Sequence, residues 1–262
     1  MGGGEILFNH LRRVSIMRSL AKILLGIALS IPGMAGTLIG NYDGKFGIFG
    51  TIVKGVEVYH WDGNRYILQA DARAVGLAAP LSRHLEHHYR SEGRIVGGKL
   101  YPNRFIQIIK RGNRRYKFVY TFDHLRHKIY KARYLNGKLE SNETLSYWTP
   151  YDVMSLYFSL PSLFKPGVRR YTFFAVGARK RDGRVDITLL TPRQWEEVDS
   201  LPKNPTSYYY LKVKPYNKEL GKEAIYLLIN RQNFVTIKSI FPDYLLGGDL
   251  VGVLTSLQYR PE

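Results

Sequence analysis

The stretch from Val56 to Ala79, VEVYHWDGNRYILQADARAVGLAA, decides the fold class of this chain. At its centre Asp62-Gly63 is typical of a tight hairpin turn, because Gly accepts a positive φ without a Cβ clash. Beyond the turn, apolar and polar side chains alternate, with Ile67 as the exception. Four residues share the apolar face: Tyr66, Leu68, Ala70 and Ala72. A period of two predicts a half-buried antiparallel strand.

The same alternation recurs to the C-terminus and is clearest over residues 104–134. In its central run, one face carries four aromatic residues: Tyr116, Phe118, Tyr120 and Phe122. Turn signals separate the runs at Gly112-Asn113 and at Asn136-Gly137. Further strands are predicted over residues 171–176, 185–190, 207–214, 224–229, 234–240 and 250–257. The 20 tyrosines of the chain also suit strands better than helices.

One segment departs from this pattern and predicts a helix. Thr149 has the side chain of an N-cap, Pro150 suits the first helical position, and Asp152 is an acid three residues after the cap. Apolar residues then recur at helical spacing as far as Leu160, and Pro161 is expected to end the helix. We therefore predict a mainly β fold, an antiparallel β-sandwich or open β-barrel of about ten or more strands, with one helix packed against it.

The N-terminus has the pattern of a secretion signal helix. Four basic residues precede an apolar core over residues 23–31, and Gly33-Met34-Ala35 matches a small-x-small cleavage site. The apolar core is shorter than the roughly 20 residues that span a bilayer. We predict a signal peptide over residues 1–35, cleaved or kept as an anchor, and one β-rich domain over residues 36–262. Met17 is an alternative start to Met1.

Composition bounds the compartment and the partners. The chain has no cysteine, which excludes disulfides, thiolate metal sites and a lipobox anchor. The net charge is +18, and +15 without residues 1–35. Such a surplus predicts attraction to anions. We expect a periplasmic protein, or one anchored to the inner membrane and facing the periplasm. Anionic lipid or lipopolysaccharide is the expected partner, with an envelope protein as the alternative, and export argues against nucleic acid.

Short motifs in a fixed order resemble an exported bacterial family, the domain-of-unknown-function family 3108 (DUF3108). They are NYD at 41–43, AVGLA at 74–78, YRSEG at 89–93, LYPNRF at 100–105, FD at 122–123 and DVMSL at 152–156. The resemblance implies a signal peptide and a mostly antiparallel β structure, and it supplies no catalytic residues. Its layout, a curved sheet partly filled by a helix, is similar to periplasmic lipoprotein carriers of the LolA type.

The segment His84-Leu85-Glu86-His87-His88 is the one local cluster of metal-ligand types. On a helix or a strand, His84 and His88 would share a face and could hold zinc. No further ligand set stands out by spacing, so an exposed polar segment between strands is the preferred interpretation. No metal and no cofactor is expected.

A basic hairpin interleaved with aromatic residues is the candidate ligand-binding region. Its residues are Arg111, Arg114, Arg115, Lys117, Tyr116, Phe118 and Tyr120. Such a mixture suits an anionic lipid head group. The alternative is a charged outer face over an aromatic core, which alternation alone produces.

Catalytic motifs are missing from the sequence, which contains no GxSxG, HExxH, P-loop or GxGxxG after a strand. Acidic residues at 182, 186, 196, 197 and 199 could supply a carboxylate pair for glycoside hydrolysis only if they converge in a cleft. The leading hypothesis is a non-enzymatic envelope protein that binds an amphiphilic or anionic ligand. The alternatives are an interaction domain with a filled core and, third, a hydrolase of envelope polymers.

Overall fold

The chain folds into one large antiparallel sheet that curls around a helix. The structure is a computed structural model, and it describes residues 35–178, 182–214, 224–245 and 248–262. The predicted signal helix lies outside these described residues. Fourteen strands follow one another in the order β8-β7-β6-β5-β4-β3-β2-β1-β14-β13-β12-β11-β10-β9. Among the described residues β8 and β9 do not pair, so the sheet has the form of an open barrel, as predicted.

The strand bounds follow the turn signals of the sequence. The strands are β1 Gly36–Phe46, β2 Thr51–Asp62, β3 Arg65–Ala74, β4 Glu86–Val96, β5 Lys99–Arg111, β6 Arg114–Asp123, β7 Lys128–Leu135, β8 Lys138–Thr144, β9 Arg170–Phe174, β10 Arg184–Leu189, β11 Tyr208–Lys214, β12 Ile225–Asn230, β13 Thr236–Leu245 and β14 Gly248–Pro261. The helices are α1 Ala78–Leu81, α2 Val153–Leu163 and α3 Pro192–Glu196, and 3₁₀ turns cover Gly47–Phe49 and Pro205–Ser207.

The hairpin predicted at Asp62-Gly63 joins β2 to β3. Asp62 pairs with Arg65, and Gly63 takes the positive φ of 56° that the two-residue loop requires. Tyr66 and Leu68 are buried on the inner face, while Arg65 on the outer face is exposed. The period of two therefore identified the inner face of β3 correctly.

The first and last strands pair with each other at the centre of the sheet. β1 pairs with β2 on one side and with β14 on the other, from Gly36 opposite Pro261 to Phe46 opposite Leu250. This pairing joins the meander β1–β8 to the meander β9–β14. Because it links residues more than 200 positions apart, no local sequence pattern predicts it.

Helix α2 follows β8 and precedes β9 in the chain, and it crosses the inner face of the sheet. The predicted N-cap was wrong: Asp152, not Thr149, caps the helix, accepting from the N–H groups of Met154 at 2.8 Å and Ser155 at 2.9 Å. Thr149 instead donates to the backbone oxygen of Phe174 and holds the segment against β9. Pro161 lies inside the last turn and does not end the helix, which continues to Leu163.

Each face of the sheet carries a packed cluster. The inner face packs against α2 through buried residues that include Phe105, Leu156, Leu160 and Leu211. On the outer face of β11–β14, α3 buries Trp195 against Tyr210 and Ile240. Thr191 caps α3 in a reciprocal pair of hydrogen bonds with Gln194.

Two local features differ from what residue types suggest. Gly93 is a residue type typical of turns, yet it lies inside β4 at a register shift opposite Pro102. The turn there is formed by Gly97 and Gly98 alone. β8 was not predicted, because KLESNET is polar and exposed along its whole length. Among the described residues, no helix is long and apolar enough to cross a bilayer.

Candidate ligand cavity

A cavity of about 420 Å³ lies between α2 and the inner face of the sheet. Both halves of the sheet contribute to its wall. The helix supplies Val153, Met154, Leu156, Tyr157, Phe158 and Leu160, and the strands and their connections supply Glu57, Ala70, Tyr89, Phe105, Gln107, Gly177, Ala178, Val185, Ile187, Val213, Ile225, Leu227 and Phe241. The cavity exists because α2 fills only part of the space that the curled sheet encloses.

The wall of this cavity is mostly apolar. Four of its described lining residues carry polar side chains: Glu57, Tyr89, Gln107 and Tyr157. Volume and composition match those of small-molecule sites, which measure about 300–1,000 Å³ and hold a few polar groups in an apolar wall. The cavity can therefore receive an apolar group and orient a polar one.

Glu57 is the one charged side chain among the described residues that line the cavity. It points inward because it has the same strand parity as Tyr59 and Trp61, which pack in the interior. Its Oε2 accepts a hydrogen bond of 3.1 Å from the Tyr42 hydroxyl on β1. Burial raises the pKa of the Glu57 carboxyl, and the hydrogen bond from Tyr42 opposes that rise. The cavity thus holds an acid that is costly to ionise without a partner.

Tyrosine hydroxyls complete the polar part of the wall. Tyr157 on α2 hydrogen-bonds to the Thr236 hydroxyl and donates to the backbone oxygen of Phe234 at 3.2 Å. Burial raises the pKa values of Tyr157 and Tyr42, and the neighbouring Glu57 carboxylate raises both further. These hydroxyls therefore remain neutral donors at physiological pH.

A buried polar network positions the helix beside the cavity. The Ser91 hydroxyl donates to Asp152 Oδ2 at 2.5 Å and lies 3.0 Å from the Tyr66 hydroxyl. Further along α2, Ser159 accepts from the N–H of Leu100 at 2.8 Å. Burial raises the pKa of Asp152 to about 6, although its hydrogen bonds favour the charged form. Asp152 is bound by its own cap and by Ser91, so we assign it to positioning α2.

The structure places the predicted ligand-binding residues on two faces of one hairpin. Arg111 and Arg114 flank the β5–β6 turn, and Arg115 and Lys117 lie on the outer face of β6. Three aromatic members of the set, Tyr116, Phe118 and Tyr120, point to the inner face. None of the seven belongs to the described lining of the 420 Å³ cavity. Their role in ligand binding stays a prediction.

The two predicted metal candidates are not brought together. His84 lies in the turn before β4, with φ at 52°, whereas His88 lies on the outer face of β4. His88 Nδ1 is 2.6 Å from Asp71 and its Nε2 is 3.2 Å from Glu86. In the part of the chain that the structure describes, no three potential ligands cluster around a metal position.

The outer groove that contains His88 is polar. Its volume is about 470 Å³, and its lining includes Lys54, Asp71, Arg73 and Glu86. Glu86 pairs with Lys110 at 2.8 Å as well as with His88. Asp71, Glu86, His88 and Lys110 are therefore linked to one another across the sheet surface.

The acidic residues considered for hydrolysis fall into two groups, with 182 and 186 at or just before β10 and 196, 197 and 199 at or just after α3. Asp186 on β10 accepts from Thr172 at 2.7 Å, and Asp199 after α3 pairs with Lys238 at 2.5 Å. Asp186 and Asp199 therefore each have a local partner.

The sequence did not identify Glu57 and Tyr157 as functional candidates. Val56 and Val58 flank Glu57 and suggest that the carboxylate faces solvent. The available signal was the parity that Glu57 shares with Tyr59 and Trp61. Tyr157 was identified only as an apolar position of the helix.

Comparison with known structures gives the class of the fold. The chain is similar to a β-barrel-like protein of domain of unknown function DUF1849 from Brucella abortus, with a TM-score of 0.51 and 12% identity. The match covers 88% of this chain and 99% of that chain. At this identity the likeness shows the fold alone, which is β-barrel-like and of unknown function. No family model and no curated protein matches the chain.

Proposed function

We propose that this chain is an exported, non-enzymatic envelope protein that binds one amphiphilic ligand in the cavity beside α2. The observation that carries the proposal is the mostly apolar cavity of about 420 Å³. Each methylene group that moves from water into such a space gains about 0.8 kcal/mol. An alkyl chain is therefore the favoured occupant of the apolar wall.

Glu57 sets the chemistry of the ligand's polar end. Its Oε2 already accepts from Tyr42, which leaves Oε1 to receive a donor from the ligand. A cationic or hydrogen-bond-donating end group satisfies this acid, whereas an anionic end group meets a like charge. The basic hairpin residues Arg115 and Lys117 lie on the outer face of the sheet and would contact anionic lipid from outside.

Export and family membership belong to the same proposal. The sequence of residues 1–35 supports export to the periplasm, with an inner-membrane anchor as the alternative. The motifs from NYD at 41–43 to DVMSL at 152–156 support membership of DUF3108. The β-barrel-like fold with an inner helix agrees with the layout that this resemblance implies.

The cavity also bears on the alternative of an interaction domain. A solid core would favour protein pairing along an exposed edge such as β8, which is open to solvent over its length. A mostly apolar cavity beside α2 favours the ligand over that alternative.

Uptake of the neutral apolar fluorophore N-phenyl-1-naphthylamine tests the proposal. We expect saturable binding to the full chain and displacement by dodecanol. Ala70→Phe, which fills the cavity from β3, should reduce binding about tenfold or more. The same change at Ala132, on the outer face of β7, is the matched control and should leave binding intact. Absence of uptake by the folded wild-type chain would overturn the proposal.

A further inference from the structure

Four connections meet at one end of the sheet and form a continuous rim. They are the 3₁₀ turn at 47–49, the β3–β4 connection at 75–85, the β5–β6 tip at 111–115 and the β7–β8 turn at 136–139. The N–H of Val75 donates to Ile52 at 2.8 Å, that of Gly112 to Arg83 at 2.7 Å, and that of Asn136 to Arg115 at 2.9 Å. The second and third bonds tie the β5–β6 tip to the connections on either side of it, and the first ties the β3–β4 connection to β2 just after the 47–49 turn, so the four connections are neighbours on one surface.

Large apolar side chains are concentrated on this rim. Among the described residues, seven such side chains are more than half exposed. Five are on the rim: Ile48 at 97%, Phe49 at 56%, Leu77 at 67%, Leu81 at 83% and Leu139 at 52%. The other two, Val96 at the end of β4 and Leu125 in the β6–β7 turn, lie at the opposite end. Apolar groups collected on one exposed surface indicate an interaction site.

The rim is also basic. Exposed cations surround the apolar side chains: Arg83, Arg111, Arg114, Arg115 and Lys138. The four connections contain no Asp or Glu. Glu86, just beyond the β3–β4 connection, is paired with Lys110 and His88. Asp243 and Asp249 belong to β13 and β14, next to the 47–49 turn.

We propose that this rim docks on the surface of a bilayer that contains anionic lipid. The apolar side chains stand on three segments, the 47–49 turn, the 75–85 connection and the start of β8, and all are exposed enough to enter the head-group layer. The arginines around them would contact lipid phosphates, as basic residues do near an anionic surface. Charge complementarity selects the bilayer, because a basic rim without acids suits a continuous anionic surface.

The rim and the cavity lie toward the same end of the sheet. Three residues that line the cavity are Val185 near the start of β10, Val213 near the end of β11 and Ile225 at the start of β12. These strand ends lie at the same end of the sheet as the rim. A docked rim would bring the cavity close to lipid. The docking proposal does not depend on the cavity, and its test uses no cavity ligand.

Site-directed labelling tests the docking of the full chain. Because the chain lacks cysteine, a single Leu81→Cys can carry an environment-sensitive nitrobenzoxadiazole label. Leu125→Cys is the matched control, since Leu125 is 96% exposed at the opposite end. With vesicles of phosphatidylcholine containing about 30% phosphatidylglycerol, we expect a blue shift at position 81 and none at 125. Residues 1–35 are present in both proteins and cannot create this difference.

A pair of charge variants supplies a second measurement. Arg111→Gln with Arg114→Gln should weaken partitioning into these vesicles about thirtyfold. Arg65→Gln with Arg94→Gln, at the other end of the sheet, removes the same charge and should have a much smaller effect. Equal shifts at positions 81 and 125, no shift at either, or equal losses from the two charge pairs would overturn the proposal.

Discussion

At the scale of single residues, the position of Glu57 on the inner face of β2 determines the chemistry of the cavity. Strand alternation turns it inward, Tyr42 satisfies one of its oxygens, and burial raises the pKa of its carboxyl. An acid in such a place gains most from a ligand that brings a positive charge. Among alkyl ligands that differ only at their polar end, the cavity should therefore prefer the one with a cationic end.

We predict that dodecylamine binds at least about tenfold more tightly than dodecanoate at about pH 8, since a buried charged hydrogen bond is worth about 1.5–3 kcal/mol. Glu57→Gln should remove most of this preference, and Glu92→Gln on the outer face should preserve it. The preference should also decline as the pH falls through the raised pKa, because the neutral acid cannot pair with the amine. Competition against N-phenyl-1-naphthylamine measures each affinity, and equal preference in wild type and Glu57→Gln would contradict this role.

Asp152 predicts a pH dependence of stability. Its pKa is about 6 in the folded chain against an ordinary value of 3.8, so the folded state holds a proton that the unfolded state has released between these values. The contribution of Asp152 to stability is therefore highest below about pH 4 and falls, on the order of 3 kcal/mol, as the pH rises through 6.

Asp152→Asn removes that dependence and keeps a good helix N-cap. Urea unfolding at several pH values should show wild type losing stability relative to this variant between about pH 4 and 6. Asp123→Asn is the control with the opposite sign, because hydrogen bonds from Arg126 lower the pKa of Asp123. A constant difference between wild type and Asp152→Asn across this range would show that Asp152 is not a costly buried charge.

At the scale of elements, the register shift in β4 depends on Gly93. A Cβ at this position would lie 2.1 Å from the backbone oxygen of Tyr101 and 2.7 Å from Pro102 Cα, and backbone atoms cannot move aside cheaply. The bulge lies opposite Pro102 inside β5, and β5 continues from there into the wall of the cavity.

We predict that Gly93→Ala destabilises the chain by about 2–3 kcal/mol through overpacking. Gly55→Ala is the matched change in β2, where the nearest atom would be 3.4 Å away, and it should be close to neutral. Thermal and urea unfolding measure both effects. Similar stability of the two variants would mean that β4 and β5 can separate at the bulge without loss.

At the scale of the whole molecule, sequence patterns predicted what local periodicity can encode. The alternation from Arg115 to Phe122 predicted β6, and the helical spacing from Val153 to Leu160 predicted α2. The pairing of β1 with β14 could not be predicted from periodicity, because the pattern within a strand does not encode which distant strand it pairs with. β8 was missed because an edge strand can be polar on both faces.

The candidate site was harder to predict than the fold for the same reason. The cavity is formed by residues from β2–β5, α2 and β10–β13, which only the curled sheet brings together. The basic hairpin was prominent in the sequence because its residues are adjacent. The structure assigns those cations to the outer face and the rim.

Photochemical labelling tests the central claim most directly, namely that the space beside α2 holds an alkyl chain. A dodecylamine that carries a diazirine along its chain would be bound to the full protein, photolysed, and located by peptide mass spectrometry. The account predicts labels on Val153–Leu163 and on the inner residues of β10–β13, with loss of labelling in Ala70→Phe. Labels confined to outer-face residues, or unchanged labelling in Ala70→Phe, would contradict it.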